Sequence, residues 1–150
     1  MSTHATNPKI GYDQLSVGQE NEAVVVENLT RTQIVQYAGA SGDFNPIHHD
    51  ETFATKAAGY PSVFAHGMLT MGLTGKMLTD WLGDGVLRDF GVRFVSQVWP
   101  GDTLTARGTV VSIGEPKDGE CAVEIELVTR NQKGRPVVTG SATASLPARV

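Results

Sequence analysis

The densest concentration of chemistry-bearing side chains is the run Tyr37-Ala-Gly-Ala-Ser-Gly-Asp43-Phe-Asn-Pro-Ile-His48-His49-Asp50. Asp43 and His48 stand five residues apart, with Asn45 and Pro46 between them. Proline keeps the residue before it out of the helical region, and Asp and Asn side chains bond the backbone two residues on, so this stretch is a turn. Such a turn can aim a carboxylate and an imidazole at one point. About one water apart, the two form a general acid/base pair. The same residues are also ordinary turn chemistry, and surface histidines are common, so composition leaves both readings open.

A second cluster, Ser62-Val-Phe-Ala-His66-Gly67-Met68, opens a strongly apolar stretch. If a helix starts there, its first amides have no internal partner and carry the positive end of the dipole. Gly67 lets a ligand approach those amides closely, and a carbonyl oxygen gaining charge during a reaction would be stabilised as in an oxyanion hole. The alternative is that Gly67 only permits tight packing and His66 caps a neighbouring carbonyl. A metal site at His48-His49-Asp50 is not expected, because adjacent residues on an extended chain face opposite ways and a metal needs converging ligands. There is no cysteine cluster and no His-x-x-x-His, and His4 sits in the polar leading segment.

These groups need elements to position them. Val24 to Val26 read as a short strand. Thr30-Arg-Thr-Gln33 is a capping box, followed by the helical stripe Ile34, Val35, Tyr37 and Ala38, which Gly39, Ser41 and Gly42 end. Asp50 can cap a second short helix over Glu51 to Ala58, closed by Gly59 and Pro61. The third helix runs from about Gly67 to Leu82 and is apolar nearly all round, which predicts that protein surrounds it. Gly72 and Gly75 weaken it unless a sheet approaches closely. Lys76 is placed to pair with Asp80 at i+4.

Beyond Gly85 the pattern turns to period two. Phe90, Val92, Phe94 and Val98 share one face. Leu104, Ala106 and Val110 follow, then Cys121, Val123, Ile125 and Leu127, then a strand over roughly Pro136 to Leu146. Four strands joined by turns predict an antiparallel meander. A sheet must bury one face and an all-apolar helix must be enclosed. The expected fold is therefore α+β, a curved antiparallel sheet wrapped around a long central helix, the hot-dog arrangement. One such sheet leaves an open edge and part of the helix bare, which predicts dimerisation.

The chain's 150 residues make one domain, expected over 10–150 behind a flexible tail at 1–9. Twelve basic against sixteen acidic residues give a net charge of −4, which disfavours nucleic acid or an anionic membrane as partner. The run from Ala57 to Gly75 carries no charge yet is broken by glycines, Pro61 and His66, so it reads as buried interior and not as a span. A lone cysteine, Cys121, allows no intrachain disulfide and suits a reducing compartment. With no apolar leader after Met1, a cytoplasmic location is expected.

Tyr37 to Ala54 resembles the signature of the MaoC-like, (R)-specific enoyl-CoA hydratases and hydroxyacyl-thioester dehydratases. That signature is an aromatic residue, Gly-Asp-x-Asn-Pro-hydrophobic-His, and a small residue six further on. Gly42, Asp43, Asn45, Pro46, Ile47, His48 and Ala54 match it. Ala65-His-Gly-Met68 is similar to the family's second motif, and Val92-Arg-Phe94 with Pro100-Gly-Asp102 to its third, where Gln97 stands in place of the usual proline. The run from His66 to Gly72, with Asp80 to Asp84, looks especially like the catalytic B-type subunit of hydroxyacyl-carrier-protein dehydratases.

The resemblance implies reversible addition of water to a trans-2-enoyl thioester of CoA or acyl carrier protein, in fatty-acid-type metabolism, giving the (R)-3-hydroxyacyl product. It implies Asp43 and His48 as catalytic residues and the Gly67 amide as oxyanion donor. Asn45 and His66 would support the site, and Met68 and Arg93 would contact substrate, although Met68 also suits core packing and Arg93 the solvated sheet face. No metal or other cofactor is implied, since the thioester already acidifies C2. A homodimer is expected, with a heterodimer as the alternative. The rivals are a thioesterase on the same scaffold, which would usually carry its acidic residue on the central helix, and a partner subunit without activity of its own.

Overall fold

A computed structural model describes residues 6–149. Five antiparallel strands form one sheet: β1 (Glu20–Val26), β2 (Leu87–Phe94), β3 (Leu104–Ile113), β4 (Glu120–Asn131) and β5 (Pro136–Pro147). Their spatial order is β1-β3-β4-β5-β2. Two helices accompany them, α1 (Arg31–Ser41) and α2 (Gly67–Leu82). The sheet curls around α2, the hot-dog arrangement that the pattern predicts. Each strand pair contains a register shift, between Val24 and Val26, Leu87 and Asp89, Val110 and Ser112, and Thr129 and Arg130. Bulges of this kind bend strands and increase twist.

The core follows from the alternation. Ala106, Val110, Val123, Ile125, Leu127, Ala142, Ala144 and Leu146 all point inward, against Met77, Leu78 and Leu82 of α2, and Cys121 is buried as well. Fully burying a side chain such as Leu78 or Ile125 contributes roughly 1.5–3 kcal/mol. Two glycines admit this packing. A Cβ at Gly75 would lie 3.0 Å from the Phe90 ring, and one at Gly108 would lie 3.1 Å from both Trp81 and Ile125. Gly72 faces open space, so the close approach expected at both helix glycines occurs only at Gly75.

Several expectations are corrected. The meander is β3-β4-β5 alone. β2 does not pair with the strand that follows it but crosses the far side of the sheet to join β5, Phe94 opposite Val138. Residues 95–103 make that crossover, held by Val95 N–H donating to the Val137 carbonyl and Ser96 Oγ to the Pro136 carbonyl. Val98 is buried but lies beyond the strand, and Phe94 is 49% exposed, so the apolar face expected across Phe90 to Val98 breaks at the strand's end. α2 is not enclosed on every side: Met68 is 54% exposed, while Thr70 and Thr74 are buried. Thr74 manages this by donating to the Thr70 carbonyl and meeting Thr129 Oγ1 at 2.7 Å.

The segment after Asp50 is helical as expected and Asp50 caps it, but Phe53–Ala57 winds as a π-helix with Ala58 N–H donating to the Phe53 carbonyl. Part of the expected tail is also anchored. Asn7 N–H donates to Asp84 and Ile10 N–H to the Leu82 carbonyl, against the end of α2. His4 lies outside the described residues. Among the described residues no helix is long and apolar enough to cross a membrane. Lys76 and Asp80 form the expected pair.

Candidate active site

α1 starts as its sequence dictates, with Thr30 Oγ1 accepting from Gln33 N–H and Gln33 Oε1 from Thr30 N–H. It stops at Gly42, whose φ of +74° only glycine adopts without strain. The chain then turns through Asp43 to Asn45. Asp43 Oδ1 accepts from Asn45 N–H at 3.2 Å, and Asn45 Oδ1 accepts from Ile47 N–H at 3.1 Å, so each side chain braces the backbone two residues on. Pro46 opens a 3₁₀ turn, Pro46–His48. This places His48 inward and leaves Asp43 at the surface above it.

A second segment, residues 62–66, runs alongside. Phe64 N–H donates to the Ile47 carbonyl, and Ala65 N–H to the Val98 carbonyl in the crossover loop. Glu51 ties the outer end by accepting from Arg31 (2.7 Å), Ser62 Oγ (3.2 Å) and Val63 N–H (3.3 Å). The Arg31 bond is the main reason its carboxyl is held below the usual range. His66 then ends the segment as the cap of α2.

Donor atoms from Asp43, His48 and His66 lie within 4.8 Å of one another. His48 Nδ1 is 2.6 Å from the Phe64 carbonyl, and His66 Nε2 is 3.0 Å from the Asp43 carbonyl. A carbonyl can only accept, so each of these nitrogens carries the ring's proton. His48 is left with Nε2 bare, the form of a base. Burial is the largest influence on His48 and lowers its pKa from the ordinary 6.5; the bond to the Phe64 carbonyl opposes this, His66 adds to the lowering, Asp43 opposes it and His49 adds a little more. The imidazole is therefore kept neutral around pH 7.

The separation fits one water accepting nothing and donating to both the Asp43 carboxylate and His48. The rings of His48 and His66 stack at 3.8 Å with planes 27° apart. Two nearly parallel rings cannot both direct in-plane lone pairs at one ion without turning, so the cluster is shaped for proton transfer more than for a metal. His49 faces elsewhere, its Nε2 on the Phe44 carbonyl, and takes no part in the cluster.

Gly67 is the first residue of α2, next to this cluster, and its N–H has no acceptor within the helix. Both readings of this glycine hold in part: a Cβ there would lie 3.2 Å from three atoms of the Phe94 ring, so its absence also serves packing. A cavity of about 330 Å³ opens beside Gly67, walled by Phe64, Thr70, Phe94, Val98 and Val138 among others. Met68 is exposed beside Gly67. Arg93 is exposed on the β2 edge and has no hydrogen bond or ion pair to the cluster among the described residues. Sequence reasoning gave His66 only a minor part; its signal was the histidine directly before a helix-opening glycine.

Comparison with known proteins follows the same lines. The family profile described as "MaoC like domain" matches residues 13–132. An (R)-specific enoyl-CoA hydratase of Rhodospirillum rubrum is 30% identical over 140 residues, 92% of each chain. The 3-hydroxyacyl-thioester dehydratase Y of Mycobacterium tuberculosis is 43% identical over 79 residues, 51% of this chain and 26% of that protein. This chain spans about a third or less of the length of that relative and of two others of comparable similarity. Among solved structures, the unliganded R-hydratase PhaJ1 of Pseudomonas aeruginosa superposes with a TM-score of 0.82 at 28% identity, covering 97% of this chain and 90% of that one.

Proposed function

Because the chain belongs to the MaoC-like domain family, we propose that it is a hydro-lyase adding water reversibly to trans-2-enoyl thioesters of CoA or acyl carrier protein. The product is the (R)-3-hydroxyacyl thioester. The observation that carries this reading is the convergence of Asp43 and a neutral His48 within 4.8 Å beside the free amides of α2.

In this reading a water donates one hydrogen to His48 Nε2 and the other to the Asp43 carboxylate. Its oxygen bonds C3 as the C2–C3 π electrons move onto the thioester. His48 takes one water proton and the oxygen keeps the other. The charge gathering on the thioester oxygen rests on the Gly67 N–H and the helix dipole. The proton taken from water then passes to C2 on the same face, the thioester carbonyl re-forms, and the pair is restored. Asn45 holds the turn. Met68 and the cavity beside Gly67 receive acyl carbon, and Arg93 at the β2 edge reaches toward a phosphate of the carrier.

The decisive experiment is turnover of the purified chain on enoyl-CoAs of graded length with product chirality read out. Formation of (R)-3-hydroxyacyl-CoA supports the assignment. Release of free CoA thiol with no hydration would move it to the thioesterases. The β2 edge is unpaired in the sheet, and Phe44, Met68, Phe94 and Val95 near it or near the site are exposed. A second copy of this chain is the partner that this surface fits, giving a homodimer in the cytoplasm, where a free Cys121 is stable. Sedimentation at the monomer mass, with activity appearing only on addition of a different subunit, would favour the heterodimer instead.

A further inference from the structure

We propose that His66 is a positioning residue of this site, tying the main chain of Asp43 and the ring of His48 into one unit. The proposal rests on the hydratase reading and assigns a role to a side chain that the reaction itself does not consume.

Three separate segments meet on this one imidazole. From the cap of α2, its Nε2–H reaches across 23 residues to the Asp43 carbonyl. Its face lies on His48 at 3.8 Å. Tyr37, from α1, also packs against it, with ring centroids 4.9 Å apart and planes at 59°. His66 is only 2% exposed, so solvent does not loosen this arrangement. A shift of His66 therefore moves the Asp43 backbone and the His48 ring together, and a misplacement of about 1 Å in a catalytic group can cost on the order of 10²-fold in rate.

The identity of the residue carries the same message. His66 Nδ1 is buried with no partner, which a fold ordinarily avoids. A phenyl ring would pack against His48 and Tyr37 without that bare nitrogen. A glutamine amide would donate to the Asp43 carbonyl without an aromatic face. An imidazole supplies a donor on one edge and a stacking face at once in a ring smaller than a phenol or an indole, and the bare nitrogen comes with it. His66 also acts on the His48 proton. The titratable groups that face His48 are Asp43 from its own turn and His66 from the neighbouring segment, with His49 acting on it only at longer range; Asp43 favours the protonated ring and both histidines disfavour it.

Two variants separate the donor from the face. His66→Phe keeps a ring and loses the donor, so kcat on a short enoyl-CoA should fall by about 10- to 100-fold with KM moved less than about threefold. His66→Gln keeps a donor and loses the neighbouring imidazole. It should retain more kcat than His66→Phe, while the acid limb of kcat/KM and the His48 titration followed by NMR both move to higher pH. If kcat in His66→Phe matches wild type, or if the His48 titration in His66→Gln does not move, the proposal is overturned. The NMR titration decides the matter even where His66→Phe does not fold. It also stands apart from the hydratase reading, which a wild-type protein inactive on every enoyl thioester would defeat while leaving the dependence of His48 on His66 measurable.

Discussion

The sharpest consequence of the proposed mechanism is that Asp43 and His48, sharing a single water, should not contribute independently. Asp43→Asn removes the charge while keeping an acceptor oxygen of the same size. His48→Gln removes the base while keeping an amide able to face the Phe64 carbonyl, which the ring holds at 2.6 Å. Loss of a positioned general base costs about 10²–10⁴-fold. At about 1.36 kcal/mol per decade, each single variant should lose at least roughly 2.7 kcal/mol of transition-state stabilisation. Atoms of the two side chains lie within 4.8 Å, a gap that one water can span. Once either is gone that water is no longer held for attack, so the second substitution has little left to remove. The double variant should therefore fall to within about threefold of the worse single variant, the non-additive pattern of residues acting as a unit. The assay is loss of enoyl-thioester absorbance at saturating and limiting substrate, with circular dichroism checking the fold. A double variant slower by the product of the two single effects would refute the shared-water arrangement, and near-normal turnover in both singles would refute the acid/base assignment itself.

Because burial lowers the His48 pKa, kcat/KM should decline on the acid side through a pH below 6.5, and a decline centred above 6.5 would contradict a buried neutral base. The same shift bears on stability: between the folded value and 6.5 the unfolded chain holds more protons, so unfolding midpoints should drop as pH falls through that window, an effect His48→Gln should blunt. Gly140→Ala would put a Cβ 2.2 Å from the Gly91 carbonyl oxygen and 2.9 Å from Val92 Cα, both backbone of the neighbouring strand, and should destabilise by about 1–3 kcal/mol or more in urea titration; an unchanged midpoint would mean that β2 and β5 do not pack so closely. Thr74→Val strands the buried Thr129 hydroxyl, expected to cost about 1–3 kcal/mol, and Thr129→Val added to it should recover much of the loss. A double variant no better than the single would show that the two hydroxyls are not partners.

Local rules reached far into this protein. The capping box at Thr30, the glycine stop at Gly42, the Asx turns at Asp43 and Asn45, the span of α2 and the inward alternation from Leu104 to Leu146 all depend on residues near one another in the chain, and spacing and side-chain type are sufficient to read them. The Asp43–His48 turn was legible for the same reason, since five residues and a proline determine it. The position of β2 was not. Its pattern looks like that of any strand, and what carries it past β3 to pair with β5 is a set of bonds from residues 95–96 to residues 136–137, distant in sequence. The π-turn at Phe53–Ala57 was equally hidden, because helical periodicity does not distinguish one extra residue per turn.

The sequence by itself determined which side chains bear chemistry and that a turn presents two of them. Only the tertiary structure decided that His66, 18 residues beyond His48, stacks on it and bonds the backbone of Asp43. Nothing local encodes that meeting. It arises because the 62–66 segment is pinned on one side to Ile47 and on the other to Val98, two contacts that exist only once the sheet has closed around α2.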